Sequence, residues 1–334
     1  MSGENSRKIK LLKLWELLKN ETDETNPMDT VEIIEKLSKM GIDVDRKILY
    51  SDIDLLNKYG FEVLKERGKR NRYYVMDRSF NLPEVRILMD AVQASGFITE
   101  KKTEQLIDKI ASLAGSKRGE ALKENIVRHS AAKSNNESIF YSVDTIISAI
   151  ESGKKISFRY FSLNVRREKQ YRTVKNSPDT VKQYIVNPIY MVLDNDQYYL
   201  VCYDDKHMTP ANYRIDRMDR VRVTDEDITP NSAIESLDLA EHTRQMFGMY
   251  SGELERVAFD IDRSLLDVVY DRFGEEVTVY ETKDKTIRCK CNVQTGQMFI
   301  AWCCSFGKRL KVVSPPTLIK RVKQHLKDTL EVYE

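Results

Sequence analysis

No stretch of this 334-residue chain approaches the ~20 consecutive apolar residues of a membrane-crossing helix. Its start, MSGENSRKIKLL, lacks the apolar core and small-residue cleavage site of a secretory signal, and its charged opening leads into an amphipathic helix. Cysteine is scarce: five residues, an odd number without a secretion signal, so reduced thiols in the cytoplasm are expected. Bulk charge is nearly absent, at +2 from 54 basic and 52 acidic residues, so any attraction to nucleic acid must be local. Also missing are Gly-x-Gly-x-x-Gly, a Walker loop and His-Glu-x-x-His. The four histidines, His129, His207, His242 and His325, stand in unrelated contexts. Cys289 with Cys291 and Cys303 with Cys304 do not have the spacing of a zinc knuckle, and core thiols are the simpler expectation. These absences predict a protein that is not an enzyme and needs no cofactor or metal.

What is present is a soluble globular composition, 41% hydrophobic and 32% charged, long enough for two to four domains. No internal repeat or low-complexity segment stands out. From Ser6 to Thr22, Ile9, Leu11, Leu12, Leu14, Trp15, Leu17 and Leu18 recur at helical spacing. After the polar break NETDETNPMD, TVEIIEKLSKMG predicts a second helix stopped at Gly41. Asp43 can cap a third, VDRKILYSDIDLLNKYG, stopped at Gly60. FEVLKE and RYYVMD, joined by RGKRN, read as a β-hairpin. Three helices and a wing within about 75 residues are the plan of a winged helix-turn-helix.

A helix in the major groove needs polar side chains on its outer, N-terminal turns and apolar ones behind. Val44, Ile48, Ile53 and Leu56 are the expected buried face, leaving Arg46, Lys47, Tyr50 and Ser51 for bases and phosphates. The hairpin is basic between Phe61 and Arg78, and Lys69, Arg70 and Arg72 at its turn would reach a neighbouring backbone or minor groove. The alternative for both groups is an ordinary solvated surface. Asp52 and Asp54 are expected to point inward or to cap, because phosphate would repel them.

Residues 81–137 read as a helical connector: LPEVRILMDAVQASGF and TEKKTEQLIDKIASLAG carry apolar stripes, whereas SKRGEALKENIVRHSAAKSNNES is polar and loose. A helix, VDTIISAIESG, then precedes five segments of strand character: KISFRYFSL, QYIVNPIYMVLDN, QYYLVCYDD, ANYRIDRMDR and VRVTD. That content predicts a small closed β-barrel. From Leu254 onward the elements run β-α-β-β-α-β with an added C-terminal helix, the split ferredoxin-like pattern.

Three motifs in series carry a family resemblance. RKILYSDIDLL resembles the winged helix of deoxyribonucleoside-repressor type. Tyr198-Tyr199-Leu200 and YRIDRM (213–218) resemble the WYL domain. FIAWCCSFGKRLKVVSPP resembles the extension that follows WYL domains. Tyr198 stands where the family has tryptophan, so no role of an indole carries over. The resemblance implies an α+β multidomain protein: a winged helix-turn-helix over 1–78, a helical linker over 79–138, an SH3/Sm-like WYL barrel over 139–228 and a ferredoxin-like extension over 229–334. It further implies a homodimeric transcription regulator that binds a double-stranded DNA operator and senses a nucleotide-like or single-stranded nucleic-acid effector. A nucleic-acid-binding accessory protein that modulates a defence-system nuclease is the alternative, and a nucleotide-directed enzyme a third.

Arginine gives planar donors suited to phosphate, and tyrosine gives stacking area. Arg214 and Arg217, with Tyr160, Tyr199, Arg159 and His207, therefore read as an anion-and-base pocket for the effector. The competing reading pairs the arginines with Asp204, Asp205, Asp216 and Asp219 as a structural network.

Overall fold

The structure, a computed structural model, describes residues 3–334 except 69, 77, 127–132, 135, 236–237, 250–251 and 283–284. The chain divides into two compact units, 1–137 and 138–334.

In the first unit, α1 (Gly3–Glu21) leads to a two-residue strand, β1 (Met28–Asp29), then α2 (Thr30–Lys39) and α3 (Arg46–Lys58). Asp29 starts α2 with a capping box: it accepts from Val31 and Glu32 N–H, and Glu32 accepts back from Asp29 N–H at 2.9 Å. Such a cap is worth ~1 kcal/mol. The cap of α3 is Asp45, not Asp43, and it accepts from Ile48 N–H at 2.8 Å. Inward positions then fall on Leu49, Ile53 and Leu56; Ile48, expected in the core, is 42% exposed because it lies one residue, about 100° of helix, away. Leu14, Leu18, Ile33, Leu37, Leu49 and Val75 close the core with no exposure.

Strands β2 (Val63–Glu66) and β3 (Arg72–Val75) form the expected hairpin, and β1 extends it to a three-stranded sheet, β1-β3-β2. Beyond it come α4 (Leu82–Ala94), α5 (Glu100–Ser112) and α6 (Ser116–Glu124). The polar SKRGEALKE, expected to be loose, is helical as α6. Its Gly119 explains the fit, since a Cβ there would meet the Ala111 carbonyl oxygen at 2.5 Å.

The second unit opens with α7 (Ile139–Ser152) and then β4 (Lys154–Leu163). Three short strands follow that the sequence did not announce: β5 (Lys169–Tyr171), β6 (Thr173–Val174) and β7 (Ser177–Val181). β8 (Gln183–Asp194), β9 (Gln197–Tyr203), β10 (Ala211–Arg214) and β11 (Met218–Asp227) complete a sheet of order β10-β9-β8-β4-β11. ANYRIDRMDR, expected as one strand, is broken by a 3-10 turn at Ile215–Arg217 whose Ile215 is fully buried. Among the described residues no ladder joins β10 to β11, so that turn, and not a hydrogen-bonded closure, links the sheet's two edges.

After α8 (Ser232–Glu235) and α9 (Leu239–Gln245), β12 (Leu254–Ile261), α10 (Leu266–Phe273), β13 (Thr278–Glu281), β14 (Ile287–Gln294), α11 (Gln297–Ser305) and β15 (Leu310–Ser314) form an antiparallel sheet of order β13-β14-β12-β15. α12 (Pro316–Glu331) ends the chain. Cys289, Cys291 and Cys303 are core residues here, beside Phe259 and Phe299, and burial raises each thiol pKa.

Candidate nucleic-acid interface and effector site

On α3, Arg46, Lys47, Tyr50 and Ser51 are all exposed along one stretch of the helix, with Leu49 and Ile53 behind them. Asp52 turns inward and meets Lys10 Nζ at 2.6 Å, whereas Asp54 is exposed. On the hairpin, Arg70 donates to Asp29 at 3.1 Å yet keeps a side chain 70% exposed. Arg72 faces Glu66 across the strands at 3.9 Å. Lys69 lies outside the described residues. The α3 face and the hairpin turn thus present exposed cations from a rigid frame, the requirement for contacts to phosphate and base edges.

In the β-sheet of the second unit, alternation decides what each strand can offer. Ile156, Phe158 and Tyr160 of β4 point to one face and are buried there. Tyr184 of β8 stacks on Phe158, with centroids 5.2 Å apart and planes 6° from parallel. Tyr213 of β10 meets Phe158, Tyr160 and Tyr184 edge-on at 5.1, 5.2 and 5.4 Å. Burial pushes the Tyr160 and Tyr213 hydroxyls up, so both are neutral near pH 7.

Cations cover this aromatic floor. The Arg172 guanidinium lies 4.8 Å from the Tyr160 ring centre, and Lys182 Nζ lies 4.4 Å from that of Tyr184. Backbone bonds hold both: Arg172 N–H donates to the Tyr160 carbonyl at 2.9 Å and Lys182 N–H to the Arg172 carbonyl at 2.8 Å. Arg217 also acts electrostatically on the Tyr160 hydroxyl. Arg172 and Lys182 are exposed and Arg217 half-buried; among the described residues none of the three is in an ion pair.

Arg214 is different. Its Nε and Nη2 bind Asp216 at 3.0 and 2.8 Å, and Nη2 also donates to Gln197. Its backbone N–H donates to the Tyr160 hydroxyl at 3.2 Å. The structural-network reading therefore describes Arg214, while Arg217 is in no ion pair among the described residues.

The six residues singled out for the effector do not form one group. Tyr160, Arg214 and Arg217 come together. Arg159 is on the opposite face of β4 from Tyr160 and acts on Tyr171. Tyr199 is paired with Arg214 across the ladder on the same face and acts on it electrostatically, while its ring packs against Val201, Met246 and Met249. His207 is in the β9–β10 loop, tied to Asp204 at 2.8 Å, whereas Arg214 is at the opposite end of that hairpin. Arg172, Lys182, Tyr184 and Tyr213 were not singled out. The alternation of QYIVN and the basic residues beside it were visible, but their meeting depends on strand pairing. Tyr160 and Tyr184, 7% and 8% exposed, leave little ring surface for a stacked base.

Residues 142–223 match the family model of the WYL domain, and residues 253–330 match that of the WCX domain. The chain is thus similar to a WYL domain and, after it, to a WCX domain. No curated protein matched. Among solved structures, proteasome accessory factor B/C (PafBC) of Arthrobacter aurescens is 16% identical with a TM-score of 0.29. That likeness covers 98% of this chain and 49% of the other, so the chain spans about half its length. A CRISPR Cas-related protein is 14% identical with a TM-score of 0.37, over 98% of this chain and 85% of that one. No helix among the described residues is long and apolar enough to cross a membrane.

Proposed function

We propose that this protein is a DNA-binding transcription regulator whose WYL domain takes up a phosphate-bearing effector, either a nucleotide or a short single strand. One observation carries the effector half: Arg172, Lys182 and Arg217 surround a buried tyrosine floor without carboxylate partners among the described residues. Cations held over aromatic rings and left without counter-ions favour an anionic ligand. The three-helix arrangement with a three-stranded wing, and the exposed Arg46, Lys47, Tyr50 and Ser51 on α3, support a winged helix-turn-helix that reads duplex DNA. The strand order of the last domain supports the ferredoxin-like reading, and β4–β11 with the 3-10 turn supports the SH3/Sm-like one. Two copies on a two-fold operator are the arrangement expected of such a head. Effector control requires different affinities for two states of the protein. The protein is read as a binding protein in the cytoplasm and not as an enzyme.

The test is duplex binding to DNA upstream of the protein's own gene, across a salt series, with and without a short oligonucleotide. Site-selective binding that Arg46→Ala/Lys47→Ala loses and the oligonucleotide alters is the expected result. Binding to single strands alone, untouched by the double substitution, would replace this reading with the nuclease-accessory role.

A further inference from the structure

The Ser305-Phe306-Gly307 triplet has no part in the barrel. In the fold it makes the turn from α11 into β15. Phe306 packs edge-on to Trp302 with centroids 5.0 Å apart, and Gly307 takes the left-handed conformation at φ +56°. Arg309 N–H donates to the Phe306 carbonyl at 3.1 Å, and the Arg309 carbonyl accepts from Asp262 N–H at 2.9 Å. A turn held on both sides thereby delivers Lys308 and Arg309 to a cleft of about 600 Å³ at one end of the β13-β14-β12-β15 sheet.

Arg263, Lys285 and Lys311 line the same cleft. Its two carboxylates offset only part of this charge, and Asp262 acts electrostatically on Arg309. Asp260 takes Arg288 in a bidentate pair at 2.7 and 3.0 Å, and Asp262 accepts from Ser264 N–H at 2.9 Å. Among the described residues Lys285, Lys308, Arg309 and Lys311 are in no ion pair, and Arg263 only reaches Glu281 at 4.0 Å. Five cations facing one concavity repel one another, and a bound anion relieves that repulsion. Among the described residues no aromatic side chain lines the cleft, so they offer no platform for a base. Its volume is that of a small-ligand site, too large for one phosphate alone.

We infer that this cleft binds the phosphate groups of a polyphosphate or of a nucleic-acid strand. The inference goes beyond the barrel site and does not depend on it. Because the cations keep much of their solvent, binding is salt-sensitive.

The experiment is a lysine footprint of the full chain carrying Arg172→Gln/Arg217→Gln, which disables the barrel cations. Limited acetylation at Lys285, Lys308 and Lys311 is read by mass spectrometry with tripolyphosphate, with a short oligothymidine and with neither. Protection of at least two of these lysines by about threefold, as expected for a site mostly occupied, supports the site. Protection by the oligonucleotide alone assigns it to a strand's backbone, and protection by both probes assigns it to phosphates generally. Adding Lys308→Glu/Arg309→Glu should abolish protection of Lys285 and Lys311; Lys308→Gln/Lys311→Gln, read at Lys285, serves if the charge reversal unfolds the domain. Unchanged labelling with both probes at low salt, or protection that survives these substitutions, overturns the inference. With the barrel disabled throughout, such a failure leaves the proposed effector site standing.

Discussion

Met246 and Phe247 are consecutive residues whose side chains enter different cores. Met246 is 3% exposed and packs with Val201 and Met249 on the outer face of β9. Phe247 lies in the core beneath the β13-β14-β12-β15 sheet, 5.3 Å from the ring of Phe299 and 5.4 Å from that of Trp302. Arg272 covers Phe247 at 4.0 Å and donates to the Met246 carbonyl at 2.8 Å. Asn212, next to Tyr213 of the aromatic floor, donates to the Met249 carbonyl at 2.9 Å. This short segment fastens the strand that carries the floor to the last domain.

Phe247→Ala should therefore lower stability by about 3–5 kcal/mol, because a buried ring is removed from a close-packed core. Denaturant unfolding of the full chain measures it, and a loss below ~1 kcal/mol would show that the ring is not a fastening.

The two arginines of YRIDRM should part company. Arg217→Gln, like Arg172→Gln, should weaken binding of a phosphate-bearing ligand at least about tenfold, near 1.4 kcal/mol, with little change in melting temperature. Arg214→Ala strips Asp216 of its bidentate partner and should cost about 1–3 kcal/mol of stability. Calorimetric titration beside thermal melts distinguishes them; equal effects on binding alone would contradict the division.

Arg46→Ala/Lys47→Ala removes two exposed side chains, so the thermal midpoint should hold to within about 0.5 kcal/mol equivalent while duplex binding is lost. Electrophoretic shift assays and melts on one preparation decide it.

Gly115 has φ +86°, and a Cβ there would come within 2.2 Å of the Arg78 guanidinium. That guanidinium donates to three carbonyls, those of Lys19, Thr22 and Ala114, and so ties the end of α1 to the start of α6. Gly115→Ala should destabilise the first unit by more than the ~1–2 kcal/mol of a left-handed non-glycine residue alone. Hydrogen exchange at the α1 end should rise with it; an unchanged exchange pattern would argue against the tie.

Asp205 accepts from Lys155 at 2.7 Å and from Asn187 at 2.8 Å, and these bonds hold its carboxyl at about 2, with Lys155 the largest cause. The folded value is below the ordinary ~3.9, so this carboxylate adds stability above about pH 4 and loses it as pH falls through about 2. With the side chain 51% exposed, screening limits the contribution to ~1 kcal/mol. Asp205→Asn should lower the melting temperature at pH 7, and the gap should narrow as pH falls from 4 toward 2. A constant gap would assign the effect to packing.

Elements with their own periodicity were legible without coordinates: α2 and α3 with their glycine stops, the β2–β3 hairpin, α7, and the alternation from β12 to α12. β1 is two residues long and shows no period. The buried face of α3 runs through Leu49, Ile53 and Leu56 at helical spacing, a period that Ile48, five residues before Ile53, does not fit. In the site, Tyr160, Arg214 and Arg217 could be chosen from residue type, and Tyr199 faces Arg214 across the ladder, whereas Arg159 lies on the opposite face of β4 from Tyr160.

The sequence by itself determined the local structure, since helix period, strand alternation, caps and turns act over a few residues. It also determined which residues could bear charge toward an anion. Only the tertiary structure decided which of them meet. Arg172 and Lys182 reach Tyr160 and Tyr184 through pairing between distant strands, and a one-residue change of register would send each side chain to the opposite face. The fold likewise decided that Arg217 lies beside Tyr160 while Arg214 closes on Asp216, because the β4–β11 ladder pairs Met218 with Tyr160 and so joins segments far apart in the chain.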